Sequence, residues 1–115
     1  MEFTLRTIAP YDAWQWANEL FEQRDYYGAA EVLEHLVRTS TGPAARDLSQ
    51  VRELLARTYF HSARIDKAID TSRDLLEREP DNGYAALLLA RALERASRHE
   101  EAAAVKSRAR ALGVS

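Results

Sequence analysis

The stretch LSQVRELLARTYFHSARIDKAIDTSRDLLEREP, residues 48–80, decides the fold because it reads as one complete helix-turn-helix unit. Its first half carries Leu55, Ala56 and Tyr59 on one helical face. Ala68 follows nine residues after Tyr59, and Pro80 closes the unit, since proline cannot continue a helix. The spacing of this unit can therefore be compared with the rest of the chain.

The same spacing occurs twice more. Moved forward by 34 residues it falls on Leu89, Ala90, Leu93 and Ala102, and moved back by 39 it falls on Trp16, Ala17, Leu20 and Ala29. A near-constant period of this length is typical of proteins whose units stack on one another. We therefore expect an all-α, right-handed α-solenoid of three helix-turn-helix units and six helices, with units at about 10–43, 44–82 and 83–115.

Apolar periodicity and local stop signals place the six helices. The first is predicted at 11–23, and the second runs from a cap at Asp25 to a break at 39–43. The others are predicted at about 44–62, 65–78, 84–97 and 99–112, with Gly113 as the final stop. The third helix is expected to be long, because the first offset of 39 residues exceeds the second offset of 34 by five residues and these can extend the start of that helix.

The two ends of the chain differ from the middle. Residues 1–10 alternate apolar and polar side chains, which predicts an extended, loosely docked N-terminal arm. Alternatively, the arm adds a strand to a second copy or covers the first helix. The last helix is the most polar, through Lys106, Ser107, Arg108 and Arg110, and is expected to cap the stack.

Composition excludes several classes of protein. A chain of 115 residues with 46% hydrophobic and 30% charged residues is ordinary for one soluble domain. It lacks cysteine, a long apolar run and a signal peptide, so disulfides are excluded and a cytoplasmic location is expected. The formal charge of −2 divides into −5 for residues 1–82 and +3 for residues 83–115. This asymmetry is too weak for nucleic-acid binding but could favour head-to-tail contact.

Helix pairs with this skeleton resemble the tetratricopeptide repeat (TPR), whose pattern is W-x2-L-G-x2-Y, then A-x3-F, then P. The resemblance covers about residues 10–115 and is best in the second unit. Alanine replaces the glycine in all three units. The leading tryptophan is replaced by Ala13, Arg52 and Ala86, and the later aromatic residue by Leu33, Ser72 and Lys106.

In that family the first helices of successive units line a concave groove that holds an extended peptide or a partner helix. The resemblance implies four rows of groove residues: Trp14, Glu53 and Leu87; Asn18, Arg57 and Arg91; Phe21, Phe60 and Glu94; and Glu22, His61 and Arg95. Apolar anchors beside guanidinium groups suit a peptide that carries an apolar side chain and an acidic group or C-terminal carboxylate.

Other roles for these residues remain open at this point. Phe21 and Phe60 can pack between neighbouring helices, and the three arginines can form a solvated face paired with Glu53 and Glu94. Trp14 is expected to face the groove, because Trp16, two residues later, takes the core-facing position. Family members that clamp the tails of chaperones use a set of lysine, asparagine and arginine residues. In this chain only Asn18 matches that set. The other positions of the set are occupied by Trp14, Leu54, Tyr84 and Leu88.

No catalytic or metal-binding pattern is visible. His35, His61 and His99 lack a second ligand at zinc-like spacing, and Asp66, Asp70 and Asp74 read as a solvated carboxylate ridge. We therefore expect no cofactor, metal ion, nucleic-acid or membrane partner, and no enzymatic activity. The expected function is a protein-binding adaptor or scaffold. The alternative is a structural subunit of a homo-oligomer or larger assembly that uses the N-terminal arm and the end helices.

Overall fold

The computed structural model describes residues 7–40 and 48–114. Within these ranges it contains six helices and no strand: α1 (Pro10–Glu22), α2 (Tyr26–Thr39), α3 (Leu48–His61), α4 (Ile65–Arg78), α5 (Gly83–Arg95) and α6 (His99–Ala111). Each helix packs against the next one along the chain, in an elongated body of 47 × 29 × 19 Å. The expected all-α solenoid of six helices is confirmed.

The helix bounds follow the sequence prediction closely. Helix α4 begins and ends at the predicted residues, α6 begins at the predicted residue 99, and the other testable ends differ by at most two residues, which is the usual scatter of helix ends. Asp25 caps α2, since its carboxylate accepts a hydrogen bond from the Gly28 N–H at 3.0 Å. The predicted start of the third helix at residues 44–47 lies outside the described residues, as does most of the N-terminal arm.

All three hairpins turn in the same way. Arg24, Ala63 and Ser97 follow the first helix of each unit and have φ angles of 62°, 60° and 60°. In the first hairpin the Asp25 N–H donates to the Leu20 carbonyl at 2.8 Å, and equivalent bonds occur in the other two. This closure normally places glycine at the left-handed residue. Here packing of the two helices imposes the turn on three unrelated side chains.

Small residues let the helices approach closely. Ala17, Ala56 and Ala90, which replace the glycine of the TPR pattern, are fully buried. The missing aromatic residue is replaced differently in each unit. Leu33 is fully buried, and the buried Ser72 hydroxyl donates to the Ala68 carbonyl at 2.6 Å. The core is therefore mostly aliphatic and tightly spaced, with Tyr59 as a buried aromatic residue, while the other described aromatic rings lie at its edges or on the surface.

The six helices form two layers. The first helices α1, α3 and α5 make one layer, and α3 contacts α5 directly. The second helices α2, α4 and α6 make the other layer. The predicted groove residues all lie on these first helices, which we call the inner layer after the concave side that the TPR resemblance implies for them.

The C-terminal end closes the last unit. Gly113 has φ 89°, and the Val114 N–H donates to the Ala109 carbonyl at 2.9 Å, which confirms the predicted stop. Val114 then packs beside the buried Gly83 at the start of α5, where a methyl group would lie only 2.5 Å from its side chain. Lys106 on α6 is half-buried and pairs with Glu94 at 2.7 Å. The last helix is thus tied to α5 by a salt bridge as well as by the buried Ala102 and Ala109.

Candidate functional site

Two arginines of the inner layer stack on phenylalanine rings of the preceding first helix. The guanidinium carbon of Arg57 on α3 lies 4.9 Å from the ring centre of Phe21 on α1. The guanidinium carbon of Arg95 on α5 lies 5.3 Å from the ring centre of Phe60 on α3. Each contact joins neighbouring units. Such stacking holds the plane of a guanidinium group while its N–H edge stays available to a ligand.

His61 links these contacts into one aromatic cluster. Its ring stacks on Tyr26 at 5.4 Å with an interplanar angle of 17°, and Phe21 meets it edge-on at 5.5 Å. Phe60 also meets it edge-on, at 5.9 Å. Burial, and then the positive charge of Arg57, lower the pKa of His61.

The three predicted groove arginines do not form the salt bridges with Glu53 and Glu94 that the alternative interpretation of the sequence predicts. In the part of the chain that the structure describes, no carboxylate forms a salt bridge with Arg57, Arg91 or Arg95. Glu94 instead turns to Lys106 on α6. The Glu53 carboxyl has its pKa raised by burial, an effect that Arg57 opposes. The three arginines thus have no direct carboxylate partner among the described residues, although the charge of Arg57 still acts on Glu53.

Phe21 and Phe60 are both half-buried and both lie between first helices. They have the inter-helix packing role that the sequence left open, and they also support the stacked arginines. Phe21 additionally contacts Tyr26 at the start of α2, with ring centres 5.3 Å apart.

The other end of the inner layer is more apolar. Trp14 is half-buried, Leu87 is 9% exposed, and Arg91 is exposed. Asn18 is half-buried, and its side-chain amide donates to the Trp14 carbonyl at 2.8 Å. This bond uses one of the two N–H groups with which the Asn18 amide could donate a hydrogen bond to a ligand.

Trp16 packs against the core as expected, but so does Trp14, which was expected to face the groove instead. Ala13 and Ala17 are the fully buried residues of α1, whereas Trp16 is only half-buried, like Trp14. The indole is too large for the close helix contacts that alanine makes here. Both tryptophans of α1 therefore lie at the edge of the core.

Three tyrosines belong beside the predicted residues but were missed. Tyr11 and Tyr84 are 68% and 37% exposed, and each lies three residues before a groove position, Trp14 or Leu87. A spacing of three keeps side chains on one helix face, so this signal was available in the sequence. Tyr26 is on a second helix and joins the site only through its stacking on His61. That contact depends on the hairpin turn and has no sequence signal.

The remaining polar candidates form no second site. Among residues 7–40 and 48–114, no group of three histidine or acidic side chains could hold a metal ion. In the aspartate ridge, Asp66 and Asp70 are exposed, and Asp74 pairs with Arg78 at 3.0 Å. None of the described helices has the length and apolar character needed to cross a membrane.

Comparison of folds identifies structural neighbours. The MamA RS-1 ArsTM double mutant has a TM-score of 0.81 at 20% identity, over 94% of this chain and 58% of that one. MamA MSR-1 C2 has a TM-score of 0.80 at 23% identity, over 91% and 57%. MamA from residue 41 onward of Desulfovibrio magneticus RS-1 has a TM-score of 0.77 at 21% identity, over 88% and 54%.

These neighbours have a TPR-like fold, and the likeness at this identity supports that fold for the present chain. The chain spans little more than half the length of the three MamA chains. The sequence matches no protein-family model and no curated protein.

Proposed function

We propose that this chain is a non-catalytic protein-interaction module whose inner layer binds an extended peptide or a partner helix. The observation that carries the proposal is the pair of stacked arginines, Arg57 and Arg95, which have no carboxylate partner among the described residues. The MamA neighbours have the TPR-like fold of interaction scaffolds, which supports the same role.

The chemistry of the inner layer selects the class of ligand. Guanidinium groups held flat can each form two parallel hydrogen bonds to a carboxylate, and aromatic side chains supply apolar contact area. Arg57 and Arg95 lie at one end of the layer, and the half-exposed Trp14 and Tyr84 lie toward the other. The proposed ligand therefore carries an acidic group, either a side chain or a C-terminal carboxylate, separated by a short distance from an apolar side chain.

Selection from a random peptide library with free C-termini tests this function. Peptides retained by the wild-type protein should be enriched in aspartate or glutamate together with leucine or an aromatic residue. Their affinity should fall by about thirtyfold in Trp14→Ala and in Arg91→Glu, the size expected when a central contact residue is lost. Fluorescence anisotropy with the labelled selected peptides measures this loss.

Matched controls lie on the second helices. Tyr27 is 67% exposed on α2, and Arg38 is exposed in the last turn of the same helix. Tyr27→Ala and Arg38→Glu should leave the affinity within about twofold of wild type. Equal binding by wild type, Trp14→Ala and Arg91→Glu would reject the inner layer as the binding site. A selection that enriches basic peptides would reject the proposed ligand class.

A further inference from the structure

His61 lies directly beside one of the stacked arginines. It follows Arg57 by four residues in α3, so the two side chains share one face of the helix. Both also contact the same ring of α1. The guanidinium carbon of Arg57 lies 4.9 Å from the ring centre of Phe21, and the ring centres of His61 and Phe21 are 5.5 Å apart. An anion held by Arg57 would therefore be close to the imidazole as well.

The next unit has arginine at both of the equivalent positions. Moved forward by 34 residues, Arg57 falls on Arg91 and His61 falls on Arg95. Arg95 also stacks on a phenylalanine of the preceding first helix, at 5.3 Å from the ring centre of Phe60. A guanidinium group stays charged at every pH at which the protein is folded, whereas an imidazole gains or loses its charge near neutrality. His61 is thus the one titratable group among these four positions.

The first unit has no basic side chain at the same two positions. Moved back by 39 residues, they fall on Asn18 and the exposed Glu22. With His61 neutral, the formal charge of the pair therefore rises from −1 in the first unit to +1 in the second and +2 in the third. Protonation of His61 gives the second unit the same charge as the third. The positive stretch of the inner layer then covers two units instead of one.

The packing around His61 suits both protonation states of its ring. The residue is exposed, and its ring stacks on Tyr26 at 5.4 Å with an interplanar angle of 17°. The face of an aromatic ring attracts a cation, so this contact favours the imidazolium. Burial and the positive charge of Arg57 act in the opposite direction and lower the pKa of His61. A negative charge brought close to Arg57 would remove part of that opposition.

The chain itself supplies no such negative charge at the ring. The charged and titratable side chains on the elements around the ring are Glu22 on α1, Asp25 and Tyr26 at the start of α2, Arg57 on α3, Arg64 at the start of α4 and Arg95 on α5. Among the described residues no carboxylate forms a salt bridge with His61. Asp25 is turned to the Gly28 N–H of its own helix. An acidic group of a ligand would therefore be the first anion in contact with this ring.

We propose that peptide binding at the inner layer is linked to protonation of His61, so that affinity for acidic peptides rises as the pH falls below neutral. A ligand carboxylate held by Arg57 favours the imidazolium, and the imidazolium in turn attracts the carboxylate. The pKa of His61 is then higher in the complex than in the free protein. The gain in affinity is complete below the pKa of the free protein and is lost as the pH rises through the pKa of the complex. This linkage rests on the peptide binding proposed above and adds the condition that strengthens it.

The peptide selection, carried out at about pH 5.5 and again at about pH 8, tests the linkage. Ordinary carboxylates, with pKa values near 4, stay ionised over this range. Fluorescence anisotropy with the selected peptides should show about fivefold tighter binding to the wild type at the lower pH, as expected if binding raises the pKa of His61 by about one pH unit. In His61→Gln and His61→Arg the affinities at the two pH values should agree within about twofold, because neither new side chain titrates in this range.

The other two histidines of the chain supply matched controls. His35 lies on α2, and His99 is the first residue of α6. His35→Gln and His99→Gln should both keep the wild-type ratio of affinities, and circular dichroism should show that all variants are folded. Any pH dependence that comes from Glu53, whose pKa is raised by burial, would persist in His61→Gln. The comparison therefore isolates the contribution of His61.

Nuclear magnetic resonance gives a second, direct measurement. The imidazole proton shifts of the wild type, followed against pH with and without a saturating selected peptide, should show a higher pKa for His61 in the complex. Wild-type affinity that is equal at the two pH values, a gain that survives in His61→Gln, or an unchanged pKa of His61 would overturn the linkage and leave peptide binding intact. A selection that enriches no acidic peptide at either pH would reject peptide binding and the linkage together.

Discussion

Leu33→Ala is expected to lower the free energy of unfolding by about 3 kcal/mol, because it removes a fully buried leucine from a core with little freedom to collapse. Leu33 lies on α2, which packs against α1 on one side and α3 on the other. Urea unfolding followed by circular dichroism measures the loss. A decrease below about 1 kcal/mol would show that the site repacks around the smaller side chain.

Leu33→Ala should also lower the local stability of some helices more than that of others. In a stack, each unit is stabilised mainly by its neighbours, so weakening α2 should loosen the first unit before the third. Hydrogen exchange should accelerate in α1 and α2 and change little in α5 and α6. Leu112→Ala is the matched control, since Leu112 is 36% exposed and its truncation should cost only about 0.5 kcal/mol. Equal acceleration in all six helices would contradict the expected division into units.

Tyr59→Phe is expected to protect the protein from unfolding in strong alkali. Burial, followed by the negative charge of Glu34, raises the pKa of Tyr59 to about 12, although Arg64 and Lys67 lie over its ring. The folded state therefore holds this proton more tightly than the unfolded state, whose tyrosines ionise near pH 10. The stabilisation is complete below pH 10 and is lost as the pH rises through 12. The loss amounts to about 3 kcal/mol.

The comparison that isolates this effect is the difference between wild type and variant, since other groups also titrate in alkali. Urea unfolding at several pH values between 7 and 12 should give parallel curves up to pH 10 that separate above it, with Tyr59→Phe the more stable. Tyr27→Phe should follow the wild type, because Tyr27 is exposed. Curves for wild type and Tyr59→Phe that stay parallel to pH 12 would show that Tyr59 ionises without unfolding the chain.

The architecture could be predicted because each hairpin repeats the same few spacings. Leu55, Ala56 and Tyr59 are all buried, and Ala17 and Ala90 occupy the equivalent close contacts. These positions are determined by helix periodicity and side-chain size, which are local properties of a sequence. The predicted extension of α3 before Leu48 stays a prediction, since residues 44–47 lie outside the described residues.

The candidate site was only partly predictable. The sequence places Arg57 and Arg95 on the inner layer through their phase in the repeat, and Tyr11 and Tyr84 could have been found in the same way. It could not show that the arginines stack on Phe21 and Phe60, because those contacts cross between units and depend on how far the helices are apart. The sequence did not show that Trp14 as well as Trp16 packs against the core, because periodicity gives the direction of a side chain but not the space available to it.

The shared turn at Arg24, Ala63 and Ser97 has a consequence for how proteins of this shape can vary in length. Adding or removing a residue inside a hairpin would rotate one helix by about 100° relative to its partner and break the closing hydrogen bonds. Between hairpins that penalty is absent, as at the four-residue connection 79–82 between α4 and α5. Insertions and deletions among homologues should therefore accumulate between hairpins and be rare inside them.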